Sequence, residues 1–173
     1  YISIQYSKLQ DEWKFDLNTK KIKITTTTSN IKVLENKEDS LLVIAKGYVD
    51  QKRAEKLLDI SFTKNELKIK EWTDHISEDV EVQIYIPLTF KKTLEITTVS
   101  GEIEIEKNFL DKIKLSSVSG DVSIEQNSVS AIEIETVSGN LTIEFAKQHI
   151  PYQFKINTLS GDVTNAIKET VKS

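Results

Sequence analysis

A six-residue phrase returns four times in the second half of the chain, and it limits the possible folds more than any other feature. It reads Thr98-Val99-Ser100-Gly101-Glu102-Ile103, Ser117-Val118-Ser119-Gly120-Asp121-Val122, Thr136-Val137-Ser138-Gly139-Asn140-Leu141 and Thr158-Leu159-Ser160-Gly161-Asp162-Val163. Its glycines stand 19, 19 and 22 residues apart, and they are four of the five in the chain. A fixed period of this size marks a repeat architecture, in which each unit buries its apolar face only by stacking on the next.

Each phrase lies between apolar pairs spaced two apart. The pairs are Leu94/Ile96 and Ile103/Ile105, Ile113/Leu115 and Val122/Ile124, Ile132/Ile134 and Leu141/Ile143, then Phe154/Ile156 with Val163. Such alternation predicts strands with one face inward. Ile96 and Ile103 are seven residues apart, so a straight strand would point them to opposite faces. The phrase must turn the chain and reset the parity, and Gly suits such a corner because it adopts positive φ without steric cost. The expected fold is all-β: a β-solenoid, or β-helix-like stack of short strands, with roughly 19-residue repeats. An antiparallel sandwich would also alternate, but nothing in it demands the same corner at a fixed period.

Upstream the pattern is less regular. Ile22 to Val33 is a degenerate copy with Ser29 where Gly101 stands, so the repeat is expected to begin near residue 22. Ile31 lies ten residues before Leu41, as Ile103 lies ten before Ile113, which predicts another rung from Leu41. Ile2/Ile4/Tyr6 and Trp13/Phe15/Leu17 read as two strands, and Ile60/Phe62 with Leu67/Ile69 as a hairpin turning at Lys64-Asn65. Asp50 to Leu58 reads as a loop or short helix, Thr73 to Asp79 as a polar loop, and Val80 to Ile86 as a strand stopped by Pro87. Residues 41–79 fit either solenoid rungs or a separate hairpin layer. The expectation is one β-solenoid domain over residues 1–173. Residues 1–79 form irregular strands, hairpin and cap, 80–165 the regular repeats, and 166–173 a polar C-terminal tail, with Asn165 to Ser173 open to a helix. Trp13, Phe15 and Trp72 would cover the open strand edges at the N-terminal end.

Composition removes several function classes. There is no Cys, hence no disulfide framework or thiolate site. Lys+Arg 23 and Asp+Glu 27 are well mixed, with a net charge of −4 and no basic stripe, which argues against nucleic acid. The longest apolar run, Leu41 to Ala45, is strand-sized, so no stretch is long enough for a membrane-spanning helix. A chain that opens on Tyr1 and holds no Met reads as one whose N-terminal signal, anchor or further domain lies outside it. His75 and His149 lack spaced His partners, so Asp74-His75-Ile76-Ser77-Glu78-Asp79 reads as loop rather than metal site. No Gly-x-Ser-x-Gly elbow or phosphate-cradling loop is present. A polysaccharide-active β-helix enzyme, the lesser alternative, would need carboxylates clustered in one groove, often with Lys or Arg, and Arg53 is the one Arg. No catalytic residue, metal or cofactor is expected. One candidate partner-binding set remains: Glu102, Asp121, Asn140 and Asp162, which stacking would align in a column. Solvated turn residues are the plainer reading of the same four. The Trp and Tyr residues are expected to pack in core or cap rather than stack on sugars.

Ile84-Tyr85-Ile86-Pro87, followed by Leu94-x-Ile96-x-Thr98-Val99-Ser100-Gly101-Glu102-Ile103 and three further Ser-Gly corners, resembles the bacterial "putative adhesin" domain family, most strongly over 80–165. The resemblance implies a β-solenoid of the bacterial cell envelope, extracytoplasmic or attached through a membrane segment outside this chain. It brings no established catalytic residues. It implies an adhesin-like binding module with a protein or glycan partner. Because some relatives are linked to envelope-stress responses, it also implies a regulatory scaffold as the alternative, self-associating through its solenoid ends.

Overall fold

The apolar pairs flanking the first three phrases are all at most 2 % exposed and belong to one continuous core. The computed structural model describes residues 6–16, 18–50, 56–72, 77–106, 108–126, 129–145 and 153–167. Among these, every regular element is a strand. In chain order they are β1 (Tyr6–Asp16), β2 (Lys21–Thr25), β3 (Asn30–Asn36), β4 (Ser40–Asp50), β5 (Leu58–Phe62), β6 (Glu66–Glu71), β7 (Ser77–Pro87), β8 (Thr93–Thr98), β9 (Ile103–Ile105), β10 (Lys112–Ser117), β11 (Val122–Gln126), β12 (Ala131–Thr136), β13 (Leu141–Phe145), β14 (Gln153–Thr158) and β15 (Val163–Ile167).

Two sheets enclose the core. One has the order β1-β4-β7-β3-β9-β11-β13-β15 and the other β14-β12-β10-β8-β2-β6-β5. Each repeat contributes one strand to each sheet, and successive repeats pair in parallel and in register. Ile96, Leu115, Ile134 and Ile156 align in one sheet, and Ile105, Ile124 and Ile143 in the other. The parity reset is visible at the first corner. Thr98 is buried, Val99 and Ser100 are exposed, Gly101 is buried, Glu102 is exposed and Ile103 is buried. The opposite edge of the core is closed by Phe90, Leu110 and Val129 from the return connections. Burying a side chain of this kind contributes about 1.5–3 kcal/mol, so the stack is held chiefly by its apolar columns.

The degenerate upstream copy is a genuine rung. Ile22/Ile24 on β2 align with Leu94/Ile96, and Ile31/Val33 on β3 align with Ile103/Ile105. The expected rung at Leu41 does not form. Instead β4 runs antiparallel to β7, and the next rung is β6–β7, stacked in parallel on the other side of β2–β3. Stacking order therefore departs from chain order. Residues 41–79 supply both a rung and an antiparallel layer, since β5 turns back along β6 through the expected hairpin. Outermost, β1 pairs antiparallel with β4.

Three smaller expectations change. Tyr6 and Trp13 share one strand, β1, while residues 1–5 lie outside the described residues. Ser77 to Asp79 begin β7 instead of ending a loop, and 73–76 lie outside the described residues. Asn165 to Ile167 continue β15, so the helix-prone tail is limited to 168–173, also outside them, as are 51–55 of the charged stretch.

Candidate functional site

Repetition lets the role of each position in the phrase be separated. The leading hydroxyl bonds within its own corner: Ser117, Thr136 and Thr158 donate to the carbonyls of Ser119, Ser138 and Ser160 at 2.9–3.0 Å. At the first corner Thr98 Oγ1 instead accepts from Gly101 N at 3.2 Å. The central Ser bonds to the corner before it. Ser100 donates its N–H to Thr27 O at 2.9 Å, Ser119 to Val99 O at 2.7 Å, and Ser138 and Ser160 to Val118 O and Val137 O at 2.8 Å.

The glycines stack so closely that a side chain has no room. A Cβ on Gly120, Gly139 or Gly161 would lie 2.6, 2.4 or 2.1 Å from the carbonyl oxygen of the glycine one rung earlier. These three also hold φ of 108°, 110° and 112°, a region that L side chains rarely adopt. The last residue of the first three phrases, Ile103, Val122 and Leu141, enters the core, whereas Val163 in the fourth stays exposed.

The predicted column of Glu102, Asp121, Asn140 and Asp162 forms, and all four side chains are exposed. It carries an internal hydrogen-bond ladder. Asn30 Oδ1 accepts from Glu102 N at 3.0 Å, Asp121 Oδ1 from Asn140 N at 2.9 Å and Asn140 Oδ1 from Asp162 N at 3.3 Å. Much of the polar character at this position is therefore used to join rungs. Near it, Glu81, Glu102, Glu104 and Asp121 line an open depression of about 330 Å³ together with Lys32. Among the described residues, no group of His, Cys, Asp or Glu is arranged to hold a metal ion. Paired carboxyl chemistry needs two groups in contrasting environments, whereas Glu102, Glu104 and Asp121 all face water on the outside of a sheet.

At one position the backbone carbonyl joins the corners but the side chain has no internal task. Val99, Val118, Val137 and Leu159 are 46, 47, 44 and 82 % exposed. They form an apolar ridge along the corner edge, about 14 Å long at the ~4.8 Å strand spacing. Beside the later part of the ridge lies a depression of about 410 Å³ lined by Ser117, Val118, Thr136, Val137, Thr158 and Leu159. In the sequence this residue reads as part of the turn. The signal was present in parity: Val99 lies three residues after Ile96, an odd step, and so faces away from the core.

The aromatic residues sit mainly at the opposite end of the stack. Trp13 and Phe15 pack against the core edge, Phe15 stacks on Phe62 at 6.0 Å between ring centres, and Lys56 lies 3.9 Å above the Trp72 ring. His75, His149 and Arg53 lie outside the described residues.

Comparison with known proteins agrees with this architecture. A crystal structure of a putative cell adhesion protein from Clostridium sporogenes superposes with a TM-score of 0.67 at 13% identity, covering 91% of this chain and 99% of that one. A putative adhesin from Parabacteroides distasonis gives a TM-score of 0.38 at 12% identity, covering 91% and 79%. No curated protein matches the chain. The family model described as Toastrack DUF4097 matches residues 15–173, and the chain belongs to that family.

Proposed function

We propose that this domain is a non-catalytic, adhesin-like binding module of the bacterial cell envelope, and that its contact surface is the corner edge. The observation that carries the reading is the ridge Val99-Val118-Val137-Leu159, the one position of the phrase whose side chain is apolar, exposed and without an internal role. Exposed apolar residues scattered singly need no explanation, but a contiguous stripe on a rigid ladder marks an interaction site. Glu102, Asp121, Asn140 and Asp162 supply its polar rim. A branched aliphatic ridge suits a protein partner better than a glycan, which stacks on aromatic faces. The cell-adhesion name of the Clostridium sporogenes neighbour supports a surface-binding role.

The test is binding of the labelled domain to envelope and extracellular-matrix proteins, with Val118→Asp/Val137→Asp as the comparison. Both positions are exposed, so the variant is expected to keep its circular dichroism and thermal midpoint while losing at least about tenfold in affinity, the scale of a central contact. Unchanged binding by the variant, or a cytosolic location on cell fractionation, overturns the proposal.

A further inference from the structure

Among the described residues, the last rung, β14–β15, is built like the rungs inside the stack but has a neighbour on one side only. Gln153 N and Leu159 N point back to Ser130 O and Thr136 O, each at 3.3 Å. Ladder alternation then turns the backbone groups of Phe154, Ile156 and Thr158 towards the open edge. On β15, Asp162 O faces Leu141 N at 2.9 Å, which sends the groups of Val163 and every second residue after it outward. Two of the side chains at these positions are apolar and uncovered, Phe154 at 41 % and Val163 at 42 % exposed, with Leu159 beside them at 82 %, while Ile156 stays packed against the core. Unpaired edges of this kind are templates for another chain unless they are guarded by charge, Pro or a bulge. β14 and β15 carry one charged residue, Lys155.

We propose that this rung docks end to end on the same rung of a second copy, β14 on β14 and β15 on β15, in antiparallel pairs about a two-fold axis. The molecule already shows that a rung accepts antiparallel strands on both sheets, since β4 pairs with β7 and β5 with β6 at the other end. A two-fold contact brings the same patch together on both sides, so it is self-complementary, and the rung carries too little charge to oppose it. Two strands about 20 Å long across a sandwich about 10 Å thick, with side chains, bury roughly 400 Å² per copy. Counted over both copies that is about 800 Å², below the ~1,200–2,000 Å² total of stable complexes, so the dimer is weak in solution and is favoured where copies are concentrated. It places the two corner ridges on opposite edges of the joined stack, and it stands independently of what those ridges bind.

Sedimentation equilibrium is expected to show a monomer–dimer equilibrium with a Kd on the order of 10–1,000 µM, the weak range for so small a contact. Leu159→Lys, at the most exposed of the three apolar positions, and Leu159→Lys/Val163→Lys should each raise the Kd about tenfold or more, a loss of about 1.4 kcal/mol. The chain has no Cys, so Val163→Cys gives a clean cross-linking probe, and it should form a disulfide-linked dimer well ahead of Val99→Cys. A monomer at every concentration overturns the proposal. So do dimers that survive both Lys variants, or cross-linking of Val99→Cys as fast as Val163→Cys.

Discussion

At one end of the stack the outermost strand, β1, carries Lys8, Asp11, Glu12, Lys14 and Asp16, five charges in eleven residues. At the other end, β14 and β15 together carry one charge in eleven residues. The first end is finished in other ways too. Its strands reverse direction, Phe15 on β1 stacks on Phe62 on β5 and so bridges the two sheets, and Asp11 points into the edge to accept Leu57 N at 3.0 Å. An inward-pointing charge on an edge strand is a device against strand pairing with other molecules. The corner ladder shows the same polarity. It starts at Glu71, whose carboxylate accepts from Thr27 N at 3.0 Å, Thr28 N at 3.4 Å, Ser29 N at 2.9 Å and the Ser29 hydroxyl. It then runs rung to rung and ends at the Leu159 carbonyl, where the next Ser would be. The difference teaches that, among the described residues, one end of the stack is guarded by charge and reversed strands and the other is not, although the core is continuous between them.

The strongest test of that polarity is to place the same lesion inside the stack and at its open end. Gly139→Val forces a β-branched side chain into φ near +110° and against the Gly120 carbonyl. The backbone conflict costs about 1–2 kcal/mol and the crowding about 1–3 kcal/mol more. Thermal unfolding should fall by ~10 °C or more, or the protein should fail to fold. Gly161→Val meets the same geometry at the last rung, where β14–β15 can detach without disturbing earlier rungs, because a solenoid unit contacts only its neighbours. Its midpoint should fall by less than half as much. Equal losses would mean that the last rung is as integral as the rest.

Glu71→Ala tests the finished beginning. It leaves the Thr27, Thr28 and Ser29 amides without their shared acceptor, and water can serve the exposed ones. The expected cost is about 2 kcal/mol, near the middle of the range for unpaired donors, read by urea denaturation. Glu71→Gln should recover part of it, because one amide oxygen remains. If both variants match the native protein, the carboxylate is incidental to the corner.

These contrasts also show which parts of the molecule could be read in advance. The rungs were legible because Ile96-to-Ile103 parity and the glycine period are local facts, and parallel in-register stacking repeats them faithfully. The insertion of β6–β7 between β2–β3 and the antiparallel layer was not. Nothing local distinguishes Leu41 from Ile113 as a strand start, and the choice is made by which edge is free when β4 arrives. The acidic column was aligned correctly, but its hydrogen bonds from side chain to backbone depend on rung spacing that no single corner reveals. The ridge was hidden because Val in a turn looks like core until the outward parity at Val99 is taken seriously.

At the capped end Phe15→Ala removes half of the ring pair that joins the outer strands. Full truncation of a core Phe costs about 3–5 kcal/mol, but Phe15 is only partly buried, so about 1–2 kcal/mol is expected. The more telling result is association. With β1 and β5 no longer tied together, dynamic light scattering should show concentration-dependent growth that the native capped end prevents. A stability loss without growth would mean that the charges of β1 alone guard this edge.

The smallest effect separates the interior of the stack from its ends by pH. Lys21 on β2 bonds to Glu95 on β8, and the Glu95 side chain is only 16 % exposed. That hydrogen bond is the main reason its carboxyl sits below the ordinary value of 4.5. Burial pushes the other way, and the charges of Lys21, Lys23 and Lys114 add to the lowering. A carboxyl lowered by folding contributes stability above its unfolded value and loses it as pH falls through the folded value. Glu95→Gln should therefore cost about 0.5–1 kcal/mol near neutral pH, the upper range for a partly exposed pair. The gap from the native protein should close below about pH 4.5 as the native carboxyl also becomes neutral. Lys14–Glu38, at the capped end, is 3.5 Å long with both side chains largely in water. Glu38→Gln should change nothing measurable at either pH. A pH-dependent gap of equal size at both sites would show that net charge, rather than the contact between β2 and β8, sets the acid stability of the stack.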